Sequence, residues 1–380
     1  VKRVVLLSLL AVLLSWCGAP PGVTDASVPD SGADDAGASA DGGAPPDAGL
    51  PGDAGSGDDA GLPGDDAGVD DAGVEPDAGT PDAGSGDAGA VDAGPVDAGG
   101  PDAGPPRDSQ GCPLPSDAGA PFTFRAMAAN LTSGNLQSYD PGHGARIMQG
   151  SQPDVVMIQE FNYGGNSQQA LDEFVANTFD GSFAWFRGNG SIANGVISRF
   201  PILARGEWND TQVNNREFTW ALVDLPGAAD LWVISVHLLT ANASTRNTEA
   251  RELLAYVNAN IPRGDYVLLG GDFNTDTRGE AAYSTLAPVF VSSDPQPADH
   301  DGVEGTNASR SKPYDGVYAS RCLAKLQVPT VIGSSSFDAG AVIDTRVYTP
   351  ISEIAPALVS DSAAPQMQHM GVLKDFLIQP

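Results

Sequence analysis

The sequence predicts a mixed α/β domain carried behind a long stretch that cannot fold by itself. Three observations lead there. Short β-branched runs each end in a polar residue, segments with helical spacing lie between them, and the acidity of the chain is concentrated in one segment. The chain has 380 residues and a net charge of −30, with 19 Lys+Arg against 49 Asp+Glu, 46 Gly and 30 Pro. Residues 21–110 hold 21 acidic side chains and Arg107 as their one base, whereas residues 111–380 hold 16 basic and 28 acidic ones. A uniform globule is therefore excluded, and so is the basic balance of an architectural nucleic-acid binder. The remainder is long enough for one large domain with a substantial core.

Taken in order, the strand candidates are residues 122–129 ending at Asn130, 155–158 ending at Gln159-Glu160, 231–236 ending at His237, and 266–269 followed by Gly270-Gly271-Asp272. Their length and β-branched content favour strand over helix. Helical spacing is read over 169–178, with Leu171, Phe174 and Val175 on one face. It is read again over 245–260, with Leu253, Leu254 and Val257 recurring and Ser244 or Thr245 as the cap. Phe218, Trp220 and Leu222 alternate with their neighbours before Pro226-Gly227, the mark of an antiparallel strand and a turn.

The front of the chain reads as export machinery. Lys2 and Arg3 precede the apolar run Val4 to Leu14, which is about half the length a spanning helix needs. Leu14-Ser15-Trp16-Cys17 resembles a bacterial lipobox, with Trp16 where a small residue is usual, so residues 1–17 are expected to be a signal peptide of lipoprotein type with Cys17 acylated. Plain secretion is the alternative, and an uncleaved anchor the third. Residues 18–111 cycle through Asp-Ala-Gly units broken by Pro, with no aromatic residue; such a segment cannot offset its ordering entropy and is expected to be a disordered linker. Residues 112–380 are the expected folded domain. If Cys17 is acylated, Cys112 and Cys322 remain as a candidate disulfide in an oxidising compartment.

In open α/β sheets ligands bind beyond the carboxyl ends of the strands, so Asn130, Glu160, His237 and Asp272 are expected to converge on one site. Each alone has an ordinary structural explanation. Asp272 and Asn274 are the hardest to dismiss, because two glycines precede them and residues two apart on an extended backbone share a side.

Together these residues resemble the endonuclease/exonuclease/phosphatase superfamily. The likeness runs from about Phe122 to Ile378 and rests on Gly270-Gly271-Asp272-Phe273-Asn274-Thr275. In family order it adds Asn130, Gln159-Glu160, the segment 195–201, Asn215-Arg216-Glu217, Ser235-Val236-His237, the segment 314–318 and His369. The resemblance implies a deoxyribonuclease I-like α/β four-layer sandwich, with two mixed β-sheets packed face to face and flanked by helices. It also implies a divalent-metal-dependent phosphodiester hydrolase. Glu160 and Asn130 would hold Mg²⁺, with Mn²⁺ or Ca²⁺ as alternatives. Asp272 would prepare the attacking water, Asn274 would hold it, and His237 and His369 would donate to the phosphoryl oxygens, paired with Glu217 and Asp315 respectively. The inositol-phosphatase and apurinic-endonuclease signatures are absent. Gln368 replaces the Asp usual before the last His, which weakens any second cation site.

Nucleic acid is the first expected substrate, with Arg199 and Arg216 as substrate-binding residues and Arg246 and Arg251 as further candidate phosphate contacts. A phospholipid or sphingomyelin phosphodiesterase, or another phosphoesterase, is the alternative; a catalytically degenerate binding module is the third reading. His300, in Asp299-His300-Asp301, reads as part of a solvated loop, and His143 as the approach to a helix. The domain is expected to act as a monomer outside the cytoplasm, at the cell surface, facing the periplasm or secreted.

Overall fold

The computed structural model of the chain describes residues 105–115, 119–179, 182–227, 229–240 and 242–379. The signal peptide, Cys17 and the linker up to residue 104 lie outside the described residues. In chain order the strands and helices are β1 (Phe122–Ala129), α1 (His143–Ser151), β2 (Val155–Ile158), α2 (Gln168–Thr178), β3 (Ala184–Arg187), β4 (Gly195–Ser198), β5 (Ile202–Trp208), β6 (Phe218–Val223) and β7 (Leu231–His237). Then follow α3 (Ala243–Asn260), β8 (Tyr266–Asp272), α4 (Ala281–Leu286), β9 (Phe290–Val291), β10 (Asp315–Ser320), α5 (Arg321–Ala324), β11 (Gln327–Val328), β12 (Thr330–Ile332), β13 (Ser335–Phe337), β14 (Ala341–Ile343) and β15 (Gly371–Ile378).

Alternation along the strands builds four layers. In β1, Phe124, Ala126 and Ala128 face the second sheet while Met127 and Ala129 face α1 and α2. In β7, Leu231 and Val233 face inward while Ile234 and Val236 meet Leu253 and Val257 of α3. A period-2 pattern with both faces apolar is what a sheet covered on both sides requires. The first sheet runs β11-β15-β1-β2-β4-β3, with β14 also on β15; the second runs β5-β6-β7-β8-β10-β9. The protein is thus the mixed α/β domain that the sequence pattern predicts, in the four-layer sandwich that the resemblance implies.

Two local readings change. α3 starts at Ala243, and its cap is Asn242, whose side chain accepts from the Thr245 N–H; Ser244 and Thr245 instead donate their hydroxyls to Asn242 Oδ1. The loop around His300 is folded rather than merely solvated. Arg310 Nη1 lies 2.8 Å from both Asp299 and Asp344, and the exposed His300 ring packs on Phe337 and Tyr348. His143 does begin α1, its Nδ1 bonded to the Ser133 hydroxyl at 2.8 Å.

Cys112 and Cys322 form a disulfide with Cα atoms 5.4 Å apart. Contacts with the domain begin before the expected boundary at residue 112. The Arg107 guanidinium pairs with Asp265 and donates to the Gly111 and Arg263 carbonyls, so the segment from Arg107 belongs with the domain.

Candidate active site

Strand register brings the site together. β7 and β8 are parallel with His237 opposite Asp272, and β10 runs antiparallel to β8 with Asp315 opposite Asp272, so three polar residues stand level on neighbouring strands. In the first sheet β1 and β2 are parallel and end level at Ala129 and Ile158, delivering Asn130 and Glu160 just beyond. β15 pairs with β1 so that His369, two residues before Gly371, reaches the same rim. Gln159 ties the two sheets, its amide donating to Ser235 Oγ at 2.9 Å, and that hydroxyl donating to the Ile158 carbonyl.

The two glycines before Asp272 stand where a side chain would crowd its neighbours, Gly271 against backbone. A Cβ on Gly271, at φ +140°, would stand 2.0 Å from the Val236 carbonyl, and one on Gly270 would stand 2.6 Å from the Met157 methyl. Glu160 and Asn274 both adopt φ +50°, a costly conformation for residues with a Cβ and one that gathers at functional sites.

Asp272 is the hub. Its Oδ1 accepts from the Asn274 N–H at 2.8 Å, and its Oδ2 accepts from Asn274 Nδ2 and Asn130 Nδ2, each at 3.1 Å. His237 Nε2 and His369 Nε2 approach the same Oδ2 at 3.3 and 3.5 Å. The Asn130 amide also reaches Glu160 Oε1 at 3.3 Å, so one side chain bridges the two acids. His369 Nδ1 lies 3.0 Å from Asp315 Oδ2, which forms the expected dyad.

These environments separate the titrating groups. Burial lifts the Asp272 carboxyl to about 6, restrained by His369 and reinforced by Asp315. Burial alone would depress His369, but the Asp315 and Asp272 carboxylates overcome it and lift the ring to about 10. His237 goes the other way: burial holds it well below its ordinary value, with the Arg216 and His369 cations adding to the effect. Burial also raises Glu160, against the hydrogen bond from Thr132.

Several expected partners are elsewhere. Glu217 does not hold His237: its carboxylate accepts from the Asp210 N–H at 2.6 Å, drawn into the turn before β6, and His237 Nδ1 has no partner among the described residues. Arg199 sits at the far end of β4, half-exposed, paired with Asp154 at 3.0 Å and stacked over Phe200. Arg216 is close to the site but buried, its donors spent on the His237 and Leu238 carbonyls and on Asn215 Oδ1, so it braces the end of β7 rather than presenting a cation. Arg246 is buried in a bidentate pair with Glu280, and Arg251 donates to Thr248 on its own helix. Gln368 is exposed, and its side chain lines a cleft beside the site.

Two residues at the site escape the sequence reading. Thr132 Oγ1 donates to Glu160 Oε2 at 2.6 Å, and Gln137 Nε2 donates to Oε1 at 3.0 Å. Both sit in the loop after β1, where no spacing marks them.

The donor set fits a hard divalent cation. Asn130 Oδ1 and Asp315 Oδ1 are buried acceptors with no donor among the described residues, and Glu160 retains lone pairs beyond those its three donors use. Asp272, Asp315 and His369 also bring one ligand atom each within 4.8 Å of one another. An imidazolium offers no lone pair, however, so the raised His369 favours Glu160 and Asn130 as the cation's place.

No curated protein matches this chain. Among solved structures it is similar to an endonuclease/exonuclease/phosphatase from Beutenbergia cavernae, at 19% identity and a TM-score of 0.47, covering 67% of this chain and 71% of that one. It is similar to a family protein from Leptotrichia buccalis at 16% identity and 0.45, covering 67% and 99%, and to one from Bacteroides vulgatus at 16% and 0.46, covering 68% and 99%. The model of the endonuclease/exonuclease/phosphatase family matches residues 135–329, a segment that holds Glu160, His237, Asp272, Asn274 and Asp315. Asn130 and His369 lie outside it and are brought to the same rim by β1 and β15. With that match over more than half its length, the chain belongs to the endonuclease/exonuclease/phosphatase family, a family of divalent-metal-dependent phosphoester hydrolases.

Proposed function

We propose that the chain hydrolyses a phosphodiester by attack of water. The observation that carries this is the Asn130 amide joining Glu160 to Asp272, with both histidine Nε2 atoms within 3.5 Å of the same Asp272 oxygen. Glu160 and Asn130 would hold Mg²⁺, which when bound supplies charge neutralisation at the phosphoryl oxygens. Asp272, raised to about 6, is a carboxylate at neutral pH and basic enough to take a proton from water. Asn274 fixes that carboxylate through two hydrogen bonds. His369, kept cationic by Asp315, donates from Nε2 to a phosphoryl oxygen, where charge builds in the transition state. His237 stays neutral; with its Nε2 facing Asp272 Oδ2 it is the Nε2–H tautomer and adds a second donor.

A long nucleic-acid polyanion needs free cations along its path. Arg199, Arg216 and Arg246 do not supply them, so we read the substrate as a small phosphodiester rather than duplex DNA. Export and tethering through an acylated Cys17 are part of the same reading, supported by the apolar run from Val4 to Leu14 and the acidic Asp-Ala-Gly spacer. Among the described residues no helix is long and apolar enough to cross a membrane.

The test is a panel of plasmid DNA, bis(4-nitrophenyl) phosphate and sphingomyelin, offered to the purified chain with Mg²⁺ and with chelator. Cation-dependent cleavage of the small diester is expected, lost on Glu160→Ala. Inertness toward every ester under all conditions would leave a binding module standing.

A further inference from the structure

Beside Glu160 opens a cleft of about 440 Å³ whose walls come from two segments, the loop after β1 and the residues before β15. Its polar lining is Thr132, Gln137, Gln366 and Gln368, and its apolar lining includes Leu136 and Pro365; among the described residues no charged side chain lines it. The cleft is continuous with the catalytic rim, because Thr132 and Gln137 both donate to Glu160.

The wall is built in an unusual way. Leu136 and Gln137 are consecutive non-glycine residues at φ +57° and +54°, and Leu136 is 91% exposed. Such residues persist only where their surroundings fix them. Here the Gln137 side chain is held by Glu160, its carbonyl accepts from Asn162 Nδ2 at 3.2 Å, and Gln366 Nε2 reaches across to Asn135 Oδ1 at 3.3 Å. The strain holds a bare leucine over the cleft instead of letting it fold under.

We infer that this cleft is the subsite for the nucleoside carried on the scissile phosphate. The assignment rests on the hydrolase reading above and goes beyond it by naming what binds next to the phosphorus. A further phosphate would find no cation there, and an acyl chain would find amides where it needs apolar walls. A nucleoside is an uncharged ring system with donors and acceptors on its edge and an apolar face. A glutamine amide offers a donor and an acceptor in one plane, as base edges do, and Leu136 supplies a surface for the face. The volume lies in the range of small-molecule sites.

The experiment compares kcat/KM for the 4-nitrophenyl ester of thymidine 5′-phosphate with that for bis(4-nitrophenyl) phosphate and 4-nitrophenyl phosphocholine, using the full chain with Mg²⁺. Affinity for thymidine 5′-monophosphate is measured in parallel by calorimetry. The nucleoside ester is expected to be favoured at least about tenfold over both others. Leu136→Ala and Gln366→Ala should each cut that ratio and the nucleotide affinity by about tenfold, the scale of one lost pocket contact. An unchanged ratio and affinity in both variants, or preference for the phosphocholine ester, would overturn the subsite while leaving the hydrolase intact. Absence of turnover with nucleotide affinity still weakened in the variants would do the reverse.

Discussion

Where β1, β2, β7 and β8 finish, Asn130, Glu160, His237, Asp272, Asn274, Asp315 and His369 are all buried, and Asn130 Oδ1, His237 Nδ1 and Asp315 Oδ1 lack partners among the described residues. At the opposite end of the sandwich lie ion pairs and a covalent cross-link. Arg107 pairs with Asp265, Arg199 with Asp154, and Cys112 is bonded to Cys322. Polar atoms left without partners in a protein interior destabilise the fold, and three of those among the described residues, on Asn130, His237 and Asp315, stand together at this rim. The other rim carries the fastenings. Activity and stability should therefore respond to different ends of the molecule.

The largest separation is expected from Asp272→Asn, which should lower kcat about 10³-fold with a thermal midpoint close to that of the parent, because the amide keeps the shape of the hub. Steady-state kinetics beside a melting curve decides it, and a collapse in melting instead would erase the contrast between the ends. The mirror experiment replaces Cys112 and Cys322 together by Ala. Closing so long a loop is worth about 2–4 kcal/mol, so denaturant unfolding should shift by that much while kcat at 20 °C stays unchanged.

The two histidines sharpen the comparison within the site. With the Asp272 carboxylate as the proposed base, kcat/KM should rise as pH climbs through about 6. It should fall again near about 10, where the His369 cation is lost. His369→Gln should remove the alkaline fall and cost about 10²-fold in rate; a fall that persists would show that His369 is not its source. The smallest effect belongs to Arg199→Ala. That residue pairs with Asp154 far from the site, so KM for any phosphodiester should be unaltered and stability should change by under about 1 kcal/mol.

Much of the frame is legible in the sequence because β-branched runs of strand length leave few alternatives. β1 and β2 fall where residues 122–129 and 155–158 place them, and β8 extends the run from Tyr266 through the glycines to Asp272. The site residues at strand ends are legible for the same reason. What fails is side-chain direction. Glu217 follows the register toward His237, yet its carboxylate has a nearer donor in the Asp210 N–H. Arg246 looks like a helix-surface cation until α4 brings Glu280 against it. Thr132 and Gln137 are invisible because loops carry no periodicity. The boundary at 112 overlooks Arg107, whose acidic neighbours make it read as spacer, although it is the one base between residues 21 and 110.

The level placement of His237, Asp272 and Asp315 has a wider implication. Adjacent strands in a ladder are held about 4.8 Å apart by their own backbone bonds, whatever side chains they bear. The lateral spacing of the reacting groups is thus a property of main-chain geometry. Segments such as the one bearing Leu136 hang outside that ladder, so selection can reshape the cleft while the spacing of His237, Asp272 and Asp315 stays fixed.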